Sequence, residues 1–235
     1  TLSAADLGSG IHIKVADSGA SVSSDADDLI IENSRAGMSF LSATDNYGII
    51  NFGDSGDNNI GQILYYHGDN SLSFVNNAQT GINLNTNGEV TKPLQPAFHV
   101  YPSSEQQDFN QGQSVAIVFG TERFDIGSNF ASNAFTAPVT GKYHFDVSIR
   151  IKNLSTEDSG TYYYWSLVTS NRTYYHLSSV NELGSGSASF TFAGSVLADM
   201  DASDTANITI IMGGTNSSGP SDISVDSYWS GHLVC

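Results

Sequence analysis

The amino-acid sequence predicts an all-β protein whose C-terminal part is an antiparallel jelly-roll sandwich. Three observations support this fold class. Gly, Ser, Asn, Thr and Asp are abundant, and 11 Tyr and 12 Phe supply much of the bulk, a composition that favours short strands over long helices. No window of a dozen residues keeps a helical 3.6-residue apolar rhythm. Residues Lys142 to Lys152, in contrast, alternate polar and apolar side chains as a half-buried strand does.

Residues 1–90 are predicted to form short strands joined by turns. Asn, Asp, Gly and Ser cluster between the apolar runs, and these residues favour turns. Each run contains only two or three large apolar side chains, which are too few to form an independent core. We therefore expect an elongated, β-rich shaft or neck segment that buries its apolar side chains against copies of itself. The predicted strands are DDLIIE (27–32), MSFL (38–41), YGIINFG (47–53), GQILYY (61–66) and SLSFV (71–75).

A domain boundary is expected within NLNTNGEVTKPLQP, residues 83–96. This stretch contains two Pro and a Gly and has no periodic apolar pattern, which is typical of a linker. The predicted organisation is a shaft over 1–90, a linker over 91–96 and a jelly-roll knob over 97–235.

The second module contains stronger strand signals. In the strand from Lys142 to Lys152, Tyr143, Phe145, Val147, Ile149 and Ile151 alternate with polar residues, so one face is expected in the core. Eight such strands suit a jelly roll of two sheets. They are 97–101, 114–120, 142–152, 161–168, 173–180, 188–198, 207–213 and 225–234.

Three ordered motifs in this module resemble a known family. NAFTAPVTGKYHF (133–145) precedes and enters the long strand, AFHV (97–100) opens the module and SYWSGHLV (227–234) closes it. Together with GSVLADMDASD (194–204), they resemble the globular heads of complement and tumour-necrosis-factor-type proteins. The resemblance implies a ten-stranded jelly roll that assembles as a compact trimer and binds ligands without catalysis. The collagen-like Gly-X-Y stalk of that family is absent from this sequence.

Residues 27–74 resemble stretches of bacteriophage tail fibres and tailspikes. The combined resemblance implies a homotrimeric virion attachment protein, extracellular and joined to other tail components, that recognises a host cell-surface glycan or protein. Two alternatives remain open: a secreted lectin-like trimeric adhesin, and a polysaccharide depolymerase.

Charge and hydropathy exclude some classes of partner. The net charge of −16 offers no basic footprint for nucleic acid, and no apolar run is long enough for membrane insertion. The histidines lack metal-ligand spacing and there is no G-x-S-x-G nucleophile motif, so we expect no enzymatic activity. The single cysteine, Cys235, allows no internal disulfide.

The carboxylates of acidic turns are the candidate metal ligands. Oxygen-rich loops can bind Ca²⁺, although ordinary solvated turns have the same composition. Asp199, Asp201 and Asp204 are the calcium candidates, because relatives of the resembled family sometimes hold calcium near the trimer apex. No other cofactor is expected.

Aromatic residues and loops are the candidate contact sites. Neighbours in a strand face opposite ways, so part of each aromatic run must leave the core; such rings can pack a trimer interface, stack on sugars or anchor a protein partner. The core or trimer-interface candidates are Tyr143, Phe145, Tyr162, Tyr164, Trp165, Tyr228 and Trp229. Loops on a rigid scaffold commonly bind partners, and the receptor-binding candidates are Asn153, Glu157, Asp158, Asn171, Arg172 and Asn216.

Overall fold

The structure is a computed structural model that describes residues 11–110, 112–153, 162–179, 189–213 and 220–235. Within these ranges the regular structure is entirely β, so the predicted all-β class is confirmed. The chain divides into two compact units, Thr1–Gln79 with Asn83–Val90, and Thr80–Ile82 with Thr91–Cys235. Among the described residues, no helix has the length and apolar character needed to cross a membrane.

The first unit contains two small sheets. One is a parallel pair, and the other is a five-stranded sheet whose strands follow one another in chain order. The parallel pair is β1 (Ile11–Lys14) and β2 (Leu29–Glu32). The five-stranded sheet is β3 (Tyr47–Phe52), β4 (Gly61–Tyr66), β5 (Ser71–Asn76), β6 (Gln79–Leu84) and β7 (Val90–Thr91).

One predicted strand of this unit is wrong, and strands β1, β6 and β7 were not predicted. MSFL (38–41) forms no strand, and its Phe40 and Leu41 are exposed. Strand β6 was not predicted from the sequence. It follows a two-residue turn in which Asn77 and Ala78 both have positive φ, 51° and 56°; such turns usually carry Gly at the second position, so the sequence gives little signal for it.

Residues 11–90, the part of the first unit that the structure describes, have no apolar core within a single chain. The buried side chains among residues 11–90 are polar: His12, Ser71 and Ser73. His12 Nε2 lies 2.9 Å from Glu32 Oε2. The large apolar side chains are exposed instead, including Ile11, Ile13, Val15, Leu29, Met38, Phe40, Leu41, Tyr47, Ile49, Ile50, Phe52, Tyr65, Phe74, Ile82 and Val90.

The second unit is a sandwich of two sheets. Its strands are β8 (Ala97–Tyr101), β9 (Gln106–Phe109), β10 (Ser114–Ala116), β11 (Thr121–Ile126), β12 (Phe130–Ala131), β13 (Ala134–Thr136), β14 (Gly141–Lys152), β15 (Tyr162–Thr169), β16 (Thr173–Ser179), β17 (Ser189–Met200), β18 (Thr205–Gly213), β19 (Ser221–Ile223) and β20 (Tyr228–Leu233). The seven-stranded sheet has the order β11-β8-β20-β14-β19-β9, and β17 pairs with the other edge of β14. The six-stranded sheet has the order β12-β13-β18-β15-β16, and β10 also pairs with β18.

The order in which the chain visits the two sheets is that of a jelly roll. Strands β8, β14, β17 and β20 belong to the seven-stranded sheet, and β13, β15, β16 and β18 belong to the six-stranded sheet. The chain crosses repeatedly between the two layers, and all pairings within them are antiparallel. The predicted jelly roll is therefore confirmed.

The core lies between these two sheets and is rich in aromatic rings. Phe98 contacts Phe135 and Trp229, with ring centroids 4.9 Å apart in each pair. Gly231 makes this packing possible, because a Cβ at that position would stand 2.5 Å from Phe145 Cδ1. The inward row predicted for β14 is confirmed, since its five apolar side chains are at most 2% exposed.

The strand predicted at 114–120 is shorter than expected. Only Ser114–Ala116 pair with β18. The backbone N–H of Ile117 still donates to the carbonyl of Ile208 in β18. On the opposite edge of this segment, Gln106 donates to the carbonyl of Ala116 and accepts from the backbone N–H of Val118. Ile117 and Phe119 still enter the core.

Candidate functional site

The seven predicted aromatic residues fall into two groups. Tyr143, Phe145, Trp165 and Trp229 are buried between the sheets. Tyr162 and Tyr228 are 38% and 39% exposed, and Tyr164 is partly exposed. The first group serves the core of each chain, so only the second group is available for contact with another molecule.

The outward face of the seven-stranded sheet contains a shallow groove. Tyr228 stacks on His99, with ring centroids 5.4 Å apart and planes 16° apart. Burial, followed by the charge of Arg123, holds the pKa of His99 below its usual value. The groove has a volume of about 580 Å³, and its polar lining includes Asp146 and Ser230. It combines an aromatic wall with hydrogen-bonding groups.

Two strands at the side of the sandwich expose apolar residues. Among the described residues, β16 pairs only with β15, and β17 pairs only with β14, so each is an edge strand of its sheet. Tyr175 and Leu177 on β16 are 67% and 68% exposed, and Leu197 on β17 is 58% exposed. Exposed apolar edges are uncommon in isolated domains and indicate a protein contact.

A polar pocket brings together two groups of residues that the sequence suggested for different roles. Arg172 Nη2 lies 3.0 Å from Asp199 Oδ2, and Asn171 Nδ2 donates to Asp204 Oδ2 at 2.8 Å. The candidate receptor loop therefore packs against the candidate calcium turn. The pocket has a volume of about 340 Å³ and is lined by Thr140, Gly141, Lys142, Asn171, Asp199, Met200, Asp201 and Cys235.

The acidic residues of this pocket already have hydrogen-bond and ionic partners. The pKa of Asp199 lies below its usual value, first because its own backbone N–H donates to the carboxylate; burial opposes this effect, and the charges of Arg172 and Lys142 add to it. Asp204 Oδ2 also accepts from the backbone N–H of Asp201. Among the described residues, no three His, Cys, Asp or Glu side chains are placed to hold a metal ion. Calcium binding by Asp199, Asp201 and Asp204 stays a prediction, testable by calcium titration.

The other receptor-binding candidate that the structure describes, Asn153, lies at the opposite end of the sandwich. It follows β14, whereas the pocket lies beside Gly141 at the start of that strand; a twelve-residue strand separates its ends by about 36 Å. Asn153 Nδ2 donates to the buried carboxylate of Asp222 at 2.5 Å. The loop candidates therefore do not form one surface. Glu157, Asp158 and Asn216 lie outside the described residues.

Several residues of these surfaces were not expected from the sequence. Lys142, His99 and Leu197 appeared only as members of strands, because nothing local tells which outward residues of a strand meet a groove or an edge. What they share is a place among the outward-facing residues of a strand, which alternate with the buried ones.

The second unit is thus a jelly-roll domain with a groove on one sheet face, an apolar edge and a polar pocket at one end. No model of a known protein family matches the chain, and no curated protein matches it. Among solved structures, the chain is similar to the globular domain of zebrafish complement 1qA protein. The sequence identity is 16%, the TM-score is 0.43, and the match covers 60% of this chain and 98% of the other. It is also similar to murine APRIL at pH 8.0, with 10% identity, a TM-score of 0.42, and coverage of 60% and 99%.

Proposed function

We propose that this chain is a non-enzymatic, homotrimeric attachment protein of a bacteriophage tail fibre. Residues 1–90 form the shaft, which joins other tail components, and the jelly roll forms a knob that binds a host cell-surface glycan or protein. Supporting this proposal are the jelly-roll fold and the sequence motifs of both halves.

The observation that supports self-assembly best is the contrast between the two units. The jelly roll buries a full aromatic and aliphatic core within one chain. Among the described residues of the first unit, no apolar side chain is buried. A segment of this length without a core gains too little from burial to offset its chain entropy. Contact with further copies supplies the missing burial, as in an obligate oligomer.

The jelly roll also offers surfaces suited to self-association. The apolar edge of β16 and β17 presents Tyr175, Leu177 and Leu197, and the sheet-face groove presents Tyr228 beside His99. If the apolar edge of one copy contacts the sheet face of the next, the contact is heterologous. Such contacts form a closed ring when the rotation that relates neighbouring copies returns to the first copy. We assign this contact to the knob of the trimer.

Receptor binding gains from the trimer because three weak sites act together. Linked sites raise the overall affinity by about 10²–10⁴-fold over one site. We assign receptor contacts to Asn171, which lines the pocket, and to the neighbouring exposed Arg172. Their side chains are held in place by Asp204 and Asp199.

The test is binding of the labelled chain to intact cells of candidate hosts. Wild type is compared with Leu197→Asp, which places a charge on the apolar edge, and with Val118→Asp, a control at an exposed position outside the strands. Leu197→Asp is expected to dissociate and to lose at least about tenfold in apparent affinity, while Val118→Asp keeps both properties. Saturable binding that is unchanged in a monomeric Leu197→Asp variant would contradict the trimeric mode of attachment.

A further inference from the structure

One face of the three strands β3, β4 and β5 in the first unit is almost wholly apolar. Directly paired residues share a face, and the pairs Ile50 with Ile63 and Ile63 with Phe74 place these three side chains in one row. Neighbours in a strand alternate, so the same face also receives other apolar residues. We define the Ile50 face by Ile50, Phe52, Ile63, Tyr65, Leu72 and Phe74.

The opposite face has more polar side chains and is partly covered by its own chain. It carries Asn51, Gln62, Ser71 and Ser73 together with Tyr47, Ile49, Leu64, Tyr66 and Val75. Asn51 accepts a hydrogen bond of 2.8 Å from Gln62, and Ser73 accepts one of 2.9 Å from Asn83. Ser71 and Ser73 on this face are both buried. On the Ile50 face, Phe52 is 57% and Phe74 is 45% exposed.

Charge indicates what the Ile50 face can contact. Strands β3, β4 and β5 contain no Asp, Glu, Lys, Arg or His. The neighbouring acidic residues, Asp45, Asp54, Asp57 and Asp69, stand in the connecting turns. In a chain of net charge −16, identical copies repel each other unless the surfaces that meet are neutral. Both faces of these strands satisfy this condition, and the Ile50 face is the more apolar of the two.

We infer that the Ile50 face is the inner wall of the shaft, packed against the same face of two further copies of this chain. The inference rests on the proposed homotrimer and goes further by naming the surface. It gives the first unit the apolar interior that it lacks in one chain, and it leaves the face with Asn51 and Gln62 toward water. The acidic turns then lie at the margins of the contact, where solvent screens their charges.

Ile49 and Ile50 provide a matched test. They are the same residue type, adjacent in β3, 37% and 36% exposed in the single chain, and on opposite faces of the sheet. Each is replaced by cysteine in full-length protein carrying Cys235→Ser, which removes the natural exposed thiol. The rate of reaction with a soluble aromatic disulfide reagent is then measured. We expect Ile50→Cys to react at least about tenfold more slowly than Ile49→Cys in the native protein, and both to react alike in denaturant.

Light scattering on the same variants separates the possible failures. If the parent protein carrying only Cys235→Ser is a monomer, the homotrimer proposal and this inference are overturned together. A trimer in which both cysteines react equally fast, or in which Ile49→Cys is the protected one, overturns the assigned face alone. Both tryptophans, Trp165 and Trp229, lie in the jelly roll, so their near-ultraviolet signal confirms that each variant retains a folded knob.

Discussion

The ring of Trp165 stacks on the ring of His176, with centroids 4.0 Å apart and planes 6° apart. The pair joins β15 to β16, and Gly194 of β17 lies against both rings: a Cβ there would stand 2.9 Å from Trp165 and 3.0 Å from His176. This contact holds the two sheets together at the apolar edge. Burial against these neighbours lowers the pKa of His176.

The stability of the jelly roll is expected to fall as the pH drops below the usual histidine value of 6.5. The folded-state pKa of His176 is depressed, so the unfolded chain takes up this proton first and acid favours unfolding. The depressed pKa of His99 acts in the same direction. Urea unfolding, followed by tryptophan fluorescence, measures the effect between about pH 7.5 and 5.5, where few carboxylates titrate.

His176→Phe isolates this contribution, because it keeps an aromatic ring against Trp165 and removes the titrating group. The variant should lose less stability than wild type over the same pH range. Comparing the two also cancels the general relief of repulsion as the acidic chain titrates. An equal or steeper loss in His176→Phe would show that His176 is not the cause.

Gly231→Ala is expected to destabilise the jelly roll by about 1–3 kcal/mol, the usual cost of overpacking a core. The new methyl group would meet the rings of Phe145 and Phe98 at 2.5–2.8 Å. Gly37→Ala is the control, since a Cβ there has no neighbour within 4 Å. Urea unfolding of both variants checks the prediction. An equal free energy of unfolding for the two would mean that the core rings move aside without loss of stability.

Asp222→Ala is expected to cost about 1–3 kcal/mol, because it removes a buried carboxylate that accepts two hydrogen bonds. The carboxylate of Asp222 accepts from Asn153 Nδ2 and from the backbone N–H of Asp108. Asp226→Ala is the control: it removes an exposed ion pair with Arg150, which is worth at most about 1 kcal/mol. If Asp226→Ala proves the more damaging substitution in urea unfolding, the structural role given to Asp222 is wrong.

Local pattern was enough to predict much of the jelly roll. Strand β14 was predicted because its alternation is contained in consecutive residues, and the apolar face matches the observed core. The short strands β9, β12 and β13 were not predicted, since two to four residues carry no period. The predicted end of β10 was wrong: regular pairing with β18 stops at Ala116, and the Gln106 side chain binds the backbone of Ala116 and Val118 on the other edge, a contact that local pattern does not reveal.

The candidate site was less predictable than the fold. The sequence suggested Arg172 and Asp199 for separate roles, and only the jelly-roll topology brings the two side chains together. Likewise, the exposed edge of β16 and β17 depends on which strands remain unpaired, a property of the whole sheet. The absence of a core in the first unit could be anticipated, because each predicted strand offered so few large apolar residues.

Arg172→Ala is expected to weaken binding to host cells by at least about tenfold, because three copies lose the contact together. Its exposed ion pair with Asp199 contributes at most about 1 kcal/mol, so stability should hardly change. Arg150→Ala is the control, as it removes an exposed arginine with a similar partner, Asp226. Equal binding by Arg172→Ala and Arg150→Ala would exclude Arg172 from the receptor surface.

The mass of the 235-residue chain in solution shows whether it assembles as a homotrimer. Light scattering at micromolar concentration should give three times the chain mass of 25.0 kDa, because the exposed apolar residues of the first unit need partners of the same chain. The mass should remain at that value on moderate dilution, as expected of an obligate assembly. A stable 25.0 kDa monomer with a folded first unit would contradict the homotrimer.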